Sequence, residues 1–86
     1  MKLIFTELAW KDYLWFQEND RNLLKRINIL IEDAKRSHFK GLGKPEPLKA
    51  NLAGYWSRRI DSEHRLVYRI SGTELIIISC RYHYYK

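Results

Sequence analysis

The spacing of apolar and polar residues changes several times along this chain, and each change marks an element. Leu3, Ile4 and Phe5 form a short apolar run that predicts a strand over residues 1–5. Thr6 is a good helix N-cap, and Glu7 follows in the first turn, where the helix dipole favours an anion. Trp10, Tyr13, Leu14 and Gln17 recur at helical spacing and predict a helix over 7–18. Asn19-Asp20 breaks that helix and caps another. Leu23, Leu24, Ile27, Leu30, Ile31 and Ala34 then make a stripe of helical period, which predicts a second helix over 21–36. From Ser37 to Pro47 the residues Gly41, Gly43, Pro45 and Pro47 oppose regular structure and predict a loop.

Beyond the loop the period shortens. Tyr55–Ile60, His64–Ile70 and Glu74–Tyr84 are strand-like runs separated by Asp61-Ser62-Glu63 and Ser71-Gly72-Thr73, a spacing that predicts two hairpins. Two helices followed by an antiparallel meander make an α+β sandwich, with both helices on one face of a twisted antiparallel sheet. Alternation along each strand divides the residues between the two faces. Trp56, Ile60, Leu66, Tyr68, Ile70, Ile76, Ile78, Cys80 and Tyr82 form the more apolar set, expected against the helices. Ser57, Arg59, Arg65, Val67, Arg69, Ser79, Arg81 and His83 form the other, a cationic open face. Unpaired arginine is too costly to bury, so this second set is expected to meet solvent or a ligand. Cys80 and the three tryptophans, Trp10, Trp15 and Trp56, are expected to serve packing.

At 86 residues the chain is a single domain, 1–86, and its 45% hydrophobic content excludes a disordered protein. One cysteine excludes an internal disulfide and the paired-cysteine metal sites. The apolar opening is too short for a signal peptide and no run approaches a membrane span, so a cytoplasmic location is expected, with no membrane partner. The net charge of +6 is unevenly placed. Residues 1–34 carry five basic and six acidic side chains, and residues 35–86 carry eleven basic and four acidic. A basic second half suits phosphates, although a merely solvated surface explains the charge as well.

Cutting RNA without a metal requires a base for the ribose 2′-OH, an acid for the departing 5′-oxygen and cations for the charge that grows on phosphorus. Glu46 and His83 are the candidates for base and acid. Arg59 and Arg65 share a face with His83, and Glu46 lies in a loop able to fold over it, with Lys49 three residues on. Each also has a plain reading: a glutamate between prolines is commonly a solvated loop residue, and a histidine near a C-terminus a surface one. Tyr82, Tyr84 and Tyr85 either stack on unstacked bases or anchor a strand.

Four motifs bear on the choice. They are Gly43-Lys44-Pro45-Glu46-Pro47-Leu48-Lys49, the run Asn51–Ile60, Glu63-His64-Arg65-Leu66-Val67-Tyr68 and the closing Cys80-Arg81-Tyr82-His83-Tyr84. In this order and spacing, with Met1–Ile4 and Asp12-Tyr13, the chain resembles the YoeB (Txe) branch of the RelE toxin superfamily over nearly its whole length. The resemblance implies a microbial-ribonuclease-like α+β fold and an mRNA interferase that cleaves mRNA in the ribosomal A site. It implies Glu46 as general base, Arg65 as the phosphate-stabilising cation and His83 as general acid, with Tyr84 placing the substrate and Lys49 and Arg59 as supporting cations. No metal or other cofactor is implied. The implied partners are a cognate YefM-like antitoxin, the ribosome with its mRNA, and operator DNA through the antitoxin complex; association of two copies is left open. Tyr85-Lys86 extend past the usual ending, and Phe5–Ala9 differ from the usual opening. Two other readings compete: a basic sheet that binds RNA or protein without cutting, and a gyrase poison of the ParE branch, which lacks the Glu, Arg and His set.

Overall fold

The computed structural model describes residues 1–82. Strand β1 (Lys2–Phe5) leads into helices α1 (Glu7–Asn19) and α2 (Arg21–Arg36). A short strand β2 (Glu46–Pro47), one 3-10 turn (Ala50–Leu52) and strands β3 (Trp56–Arg59), β4 (Arg65–Ser71) and β5 (Glu74–Ser79) follow. Both helix starts are capped as their sequences require. The Thr6 hydroxyl accepts from the Ala9 N–H at 3.1 Å, and the Asp20 carboxylate accepts from the Leu23 N–H at 3.2 Å.

The five strands lie in the order β1-β5-β4-β3-β2. The expected meander is present, because β2, β3, β4 and β5 pair antiparallel in succession. The sheet is nevertheless mixed rather than wholly antiparallel, since β1 pairs parallel with β5. This parallel pairing has the long crossover it needs in the two helices and the meander. A further correction concerns Glu46, expected in a loop: with Pro47 it forms an edge strand, where proline's missing N–H breaks no ladder.

The core lies between helices and sheet. Ala9 and Phe16 of α1, Ile27, Leu30, Ile31 and Ala34 of α2, and Ile60, Leu66, Tyr68, Leu75, Ile77 and Cys80 form one buried cluster. The α2 stripe matches its sequence pattern. In α1 the buried side is Ala9, Asp12 and Phe16, while Trp10 and Leu14 are exposed. Trp10 packs at the surface, stacked on Tyr13 and edge-on to Phe5, whereas Trp15 and Trp56 pack against the core.

The alternation expected for β5 breaks at one residue. Ser79 pairs with Val67, but the next pair is Ile77 with Tyr68, so Ile78 is an extra residue in a bulge. The bulge resets parity. Leu75 and Ile77 enter the core before it and Cys80 after it, so Ile76 and Ile78, expected there, are replaced by their neighbours. The regular strand also stops at Ser79 instead of continuing through residue 82, and Tyr82, assigned to the helix side, is exposed.

Candidate active site

The register across the sheet places the predicted residues. Glu46 pairs with Ser57, Ser57 with Val67 and Val67 with Ser79, so one row crosses four strands on the face away from the helices. Two residues along, Arg59 pairs with Arg65 on the same face. Glu46 and Arg65 thus share a face, two strands and two residues apart, with backbones separated by about 12 Å from standard strand spacings. That gap leaves room for a substrate between the two positions. The row itself is not open throughout: Ser57 and Val67, in its middle, are buried. The cations stand at the margins.

Arg59 is exposed and directly opposes half-buried Arg65. Like charges placed opposite one another destabilise a sheet, so the pairing has a cost that an anionic ligand would relieve. Arg65 is also tied down. Its NH1 donates to the Asp61 carbonyl at 2.8 Å and the His64 carbonyl at 3.1 Å, which aims the guanidinium from the turn between β3 and β4. That turn is built by Asp61. Burial raises its carboxyl pKa, but the N–H groups of His64 (2.7 Å) and Glu63 (2.8 Å) outweigh burial and hold it below the usual carboxylate range. Lys49 is exposed just before the 3-10 turn, three residues beyond Glu46.

The segment carrying Glu46 is secured from behind by Arg58, whose role was not expected although its parity with Trp56 and Ile60 signalled it. Arg58 is fully buried. Its Nε donates to the Tyr68 hydroxyl, NH1 to Asp33 (2.6 Å) and the Leu42 carbonyl (3.0 Å), and NH2 to the carbonyls of Ser37 and Lys40. All five guanidinium donors are used. Asp33 also accepts from the Leu42 N–H, and this bond together with Arg58 lowers its pKa. Gly43 lies against this cluster at φ 80, where a Cβ would meet Leu30, Arg58 and the Arg59 carbonyl.

His64 was likewise missed, although it alternates with Leu66 and Tyr68. It is buried, packed edge-on against Phe16, and its Nδ1 accepts from the Tyr82 N–H at 2.7 Å. The Tyr82 carbonyl in turn accepts from the Arg65 N–H at 3.0 Å. The end of the described chain is therefore bonded to the start of β4 beside Arg65. His83 and Tyr84, with Tyr85 and Lys86, lie outside the described residues.

A family model described as the YoeB-like toxin of bacterial type II toxin-antitoxin systems matches residues 5–84. The chain belongs to this toxin family. It is 69% identical to a YoeB toxin of Synechocystis over all 86 residues, the full length of both chains. A solved YoeB/ParE toxin from Agrobacterium tumefaciens superposes with a TM-score of 0.95 at 56% identity, over 98% of this chain and all of that one. A Staphylococcus aureus YoeB, solved in a heterotetrameric YoeB-YefM toxin-antitoxin complex, gives 0.90 at 47% identity over 98% of each chain. Among the described residues, no helix is long and apolar enough to cross a membrane.

Proposed function

We propose that this YoeB-family toxin is a ribosome-dependent endoribonuclease that cuts mRNA in the A site without a metal ion. The observation that carries the reading is the shared face of Glu46, Arg59 and Arg65, set by the pairings Glu46–Ser57 and Arg59–Arg65. On this reading Glu46 takes the proton of the ribose 2′-OH, and the freed oxygen pair attacks the adjacent phosphorus. Arg65 stabilises the charge that builds on the non-bridging oxygens. His83 delivers a proton to the 5′-oxygen as its bond to phosphorus breaks. The products are a 2′,3′-cyclic phosphate, open to hydrolysis to a 3′-phosphate, and a 5′-OH. Arg59 and Lys49 hold neighbouring phosphates, and Tyr84 places the base or sugar. Work on ribosomes makes the cytoplasm the site of action.

A YefM-like antitoxin is the proposed silencing partner, and the pair represses its own operator. The support is the homologous Staphylococcus aureus YoeB-YefM complex together with the basic second half of this chain. A second copy of the toxin is a further proposed partner, since a Staphylococcus aureus YoeB is known as a dimer.

The test is expression of wild type and Glu46→Gln in cells, with mRNA 5′ ends mapped. Wild type should create new 5′-OH ends within translated codons. Loss of a general base typically lowers rate about 10²–10⁴-fold, so the variant should create almost none. Cleavage of naked RNA at the same sites and rates would overturn ribosome dependence. Loss of cleavage on chelation, with intact ribosomes and rescue by a divalent ion, would overturn metal independence.

A further inference from the structure

Two buried titratable side chains take no part in the chemistry above, and both hold the same three residues. Asp12, on α1, accepts from the Cys80 N–H at 3.0 Å. His64, at the start of β4, accepts from the Tyr82 N–H at 2.7 Å. Between them Arg81 lays its guanidinium carbon 3.7 Å from the centre of the Trp15 ring and 4.7 Å from that of Tyr82. The held segment is strained, for Tyr82 has φ 59, a left-handed conformation that side-chain-bearing residues avoid. Such a conformation persists only where its surroundings over-determine it. Here both backbone groups of Tyr82 are engaged, the N–H by His64 and the carbonyl by the Arg65 N–H.

We propose that Asp12 and His64 are positioning residues that clamp Cys80–Tyr82 and so fix where the chain delivers residue 83 relative to Arg65. Residue 83 begins one peptide beyond Tyr82, about 3.8 Å from Cα to Cα. The Tyr82 backbone conformation therefore sets its starting point. An acid must meet the leaving oxygen within hydrogen-bond reach, and a displacement of about 1 Å can cost roughly 100-fold in rate. A buried polar acceptor aimed at a single backbone N–H is more than packing requires: a leucine would fill the space among Phe16, Trp15 and Tyr82 without needing a partner.

The catalytic consequence rests on the nuclease reading, but the clamp itself is tested without it. Asparagine carries an oxygen on the same atom that bears Nδ1 in histidine, so His64→Asn keeps an acceptor while losing bulk. His64→Leu keeps bulk and loses the acceptor. A packing role ranks Leu above Asn in every property. The clamp predicts a crossing: Leu the more stable variant, Asn the better holder of Tyr82. The measurements are hydrogen exchange of the Tyr82 amide in the isolated toxin and single-turnover mRNA cleavage on saturating ribosomes. Exchange should quicken at least about 10-fold more in Leu than in Asn, and the single-turnover rate should fall about 10–100-fold in Leu, with ribosome affinity, titrated separately, nearly unchanged. Leu matching or surpassing Asn in Tyr82 protection overturns the clamp. If Leu loses protection but cleaves normally, the positioning role is overturned. Should wild type fail to cleave at all, the nuclease reading falls while the exchange data still judge the clamp. Neither variant need fold for one further check on wild type. Nitrogen-15 shifts should show the neutral His64 ring protonated on Nε2, and an Nδ1–H tautomer would overturn the hydrogen bond.

Discussion

Arg58 and Arg59 are chain neighbours on one strand, and they meet opposite circumstances. Alternation sends Arg58 toward the helices, where it is fully buried with every donor occupied. It sends Arg59 to the other face, exposed and opposite Arg65. On the helix side a charge survives only if the fold supplies its partners, and it then acts as a structural tie holding the loop that leads to Glu46. On the far side two like charges face one another, and among the described residues neither makes an ion pair. Satisfied charge marks scaffold, and charge left facing like charge marks a place for a ligand.

The sharpest way to break this contrast is to remove each arginine in turn and measure unfolding. Removing the buried member of an ion pair together with its hydrogen bonds typically costs about 3–5 kcal/mol. Arg58→Ala leaves half-buried Asp33 with the Leu42 N–H and Arg36, so the loss comes mainly from the three freed loop carbonyls, the lost contact to the Tyr68 hydroxyl and the space left by a fully buried side chain. For a domain of this size that corresponds to a fall in Tm on the order of 15–30 °C. Arg58→Lys should recover little, since an ammonium cannot reproduce a planar five-donor fork. Arg59→Ala should remain within about 0.5 kcal/mol of wild type, or gain slightly as the repulsion with Arg65 is relieved. Equal losses from the two substitutions would dissolve the distinction.

Arg65 sharpens the comparison, because it belongs to the far face yet is partly tied by the Asp61 and His64 carbonyls. Arg65→Ala breaks two part-buried bonds to backbone carbonyls and should cost on the order of 1 kcal/mol of stability. Turnover should suffer far more, by roughly 2.7–4 kcal/mol or about 10²–10³-fold, if the guanidinium meets charge that develops on phosphorus. Ribosome affinity should change less, since many other lysines and arginines share the phosphate contacts. Single-turnover cleavage and ribosome binding, measured on the same folded variant, separate the two. A fall in binding as steep as the fall in cleavage would make Arg65 a docking residue.

Much of this was legible in the residues, and the illegible parts share a cause. The α2 stripe, both helix caps and the β3–β4 and β4–β5 hairpins follow from local spacing. The common face of Arg59 and Arg65 follows from alternation. What failed was alternation carried too far along β5. A bulge has no side-chain signature in Ile76-Ile77-Ile78, where every residue is apolar and either register buries isoleucine. The edge strand at Glu46 was hidden by its prolines, which oppose central strands but not the outermost position. Arg58 and His64 were overlooked for a different reason: charge was read as exposure, when their parity with Trp56, Ile60, Leu66 and Tyr68 already placed both on the core side. Only long-range partners, such as the carbonyls of Ser37, Lys40 and Leu42 and the Tyr82 N–H, make that placement stable.

Asp12 tests the rule where it is least well obeyed, and it carries the smallest expected effect. It is a helix-side charge with incomplete compensation. Burial raises its pKa from the ordinary 3.8, and the Cys80 N–H and the nearby Arg81 offset that only in part. A raised carboxyl pKa means that the folded chain holds this proton more tightly than the unfolded one. Its contribution to stability is then fully present below pH 3.8 and is lost as pH rises through the folded value. Asp12→Asn keeps an oxygen for the Cys80 N–H and removes the charge, so it removes that loss. The stability of the variant relative to wild type should climb between about pH 4 and pH 7. Urea unfolding of both proteins across this range measures the difference directly. A difference that stays flat, or falls as pH rises, would mean that Arg81 and the Cys80 amide compensate Asp12 completely, and that the helix side tolerates no charge without full payment.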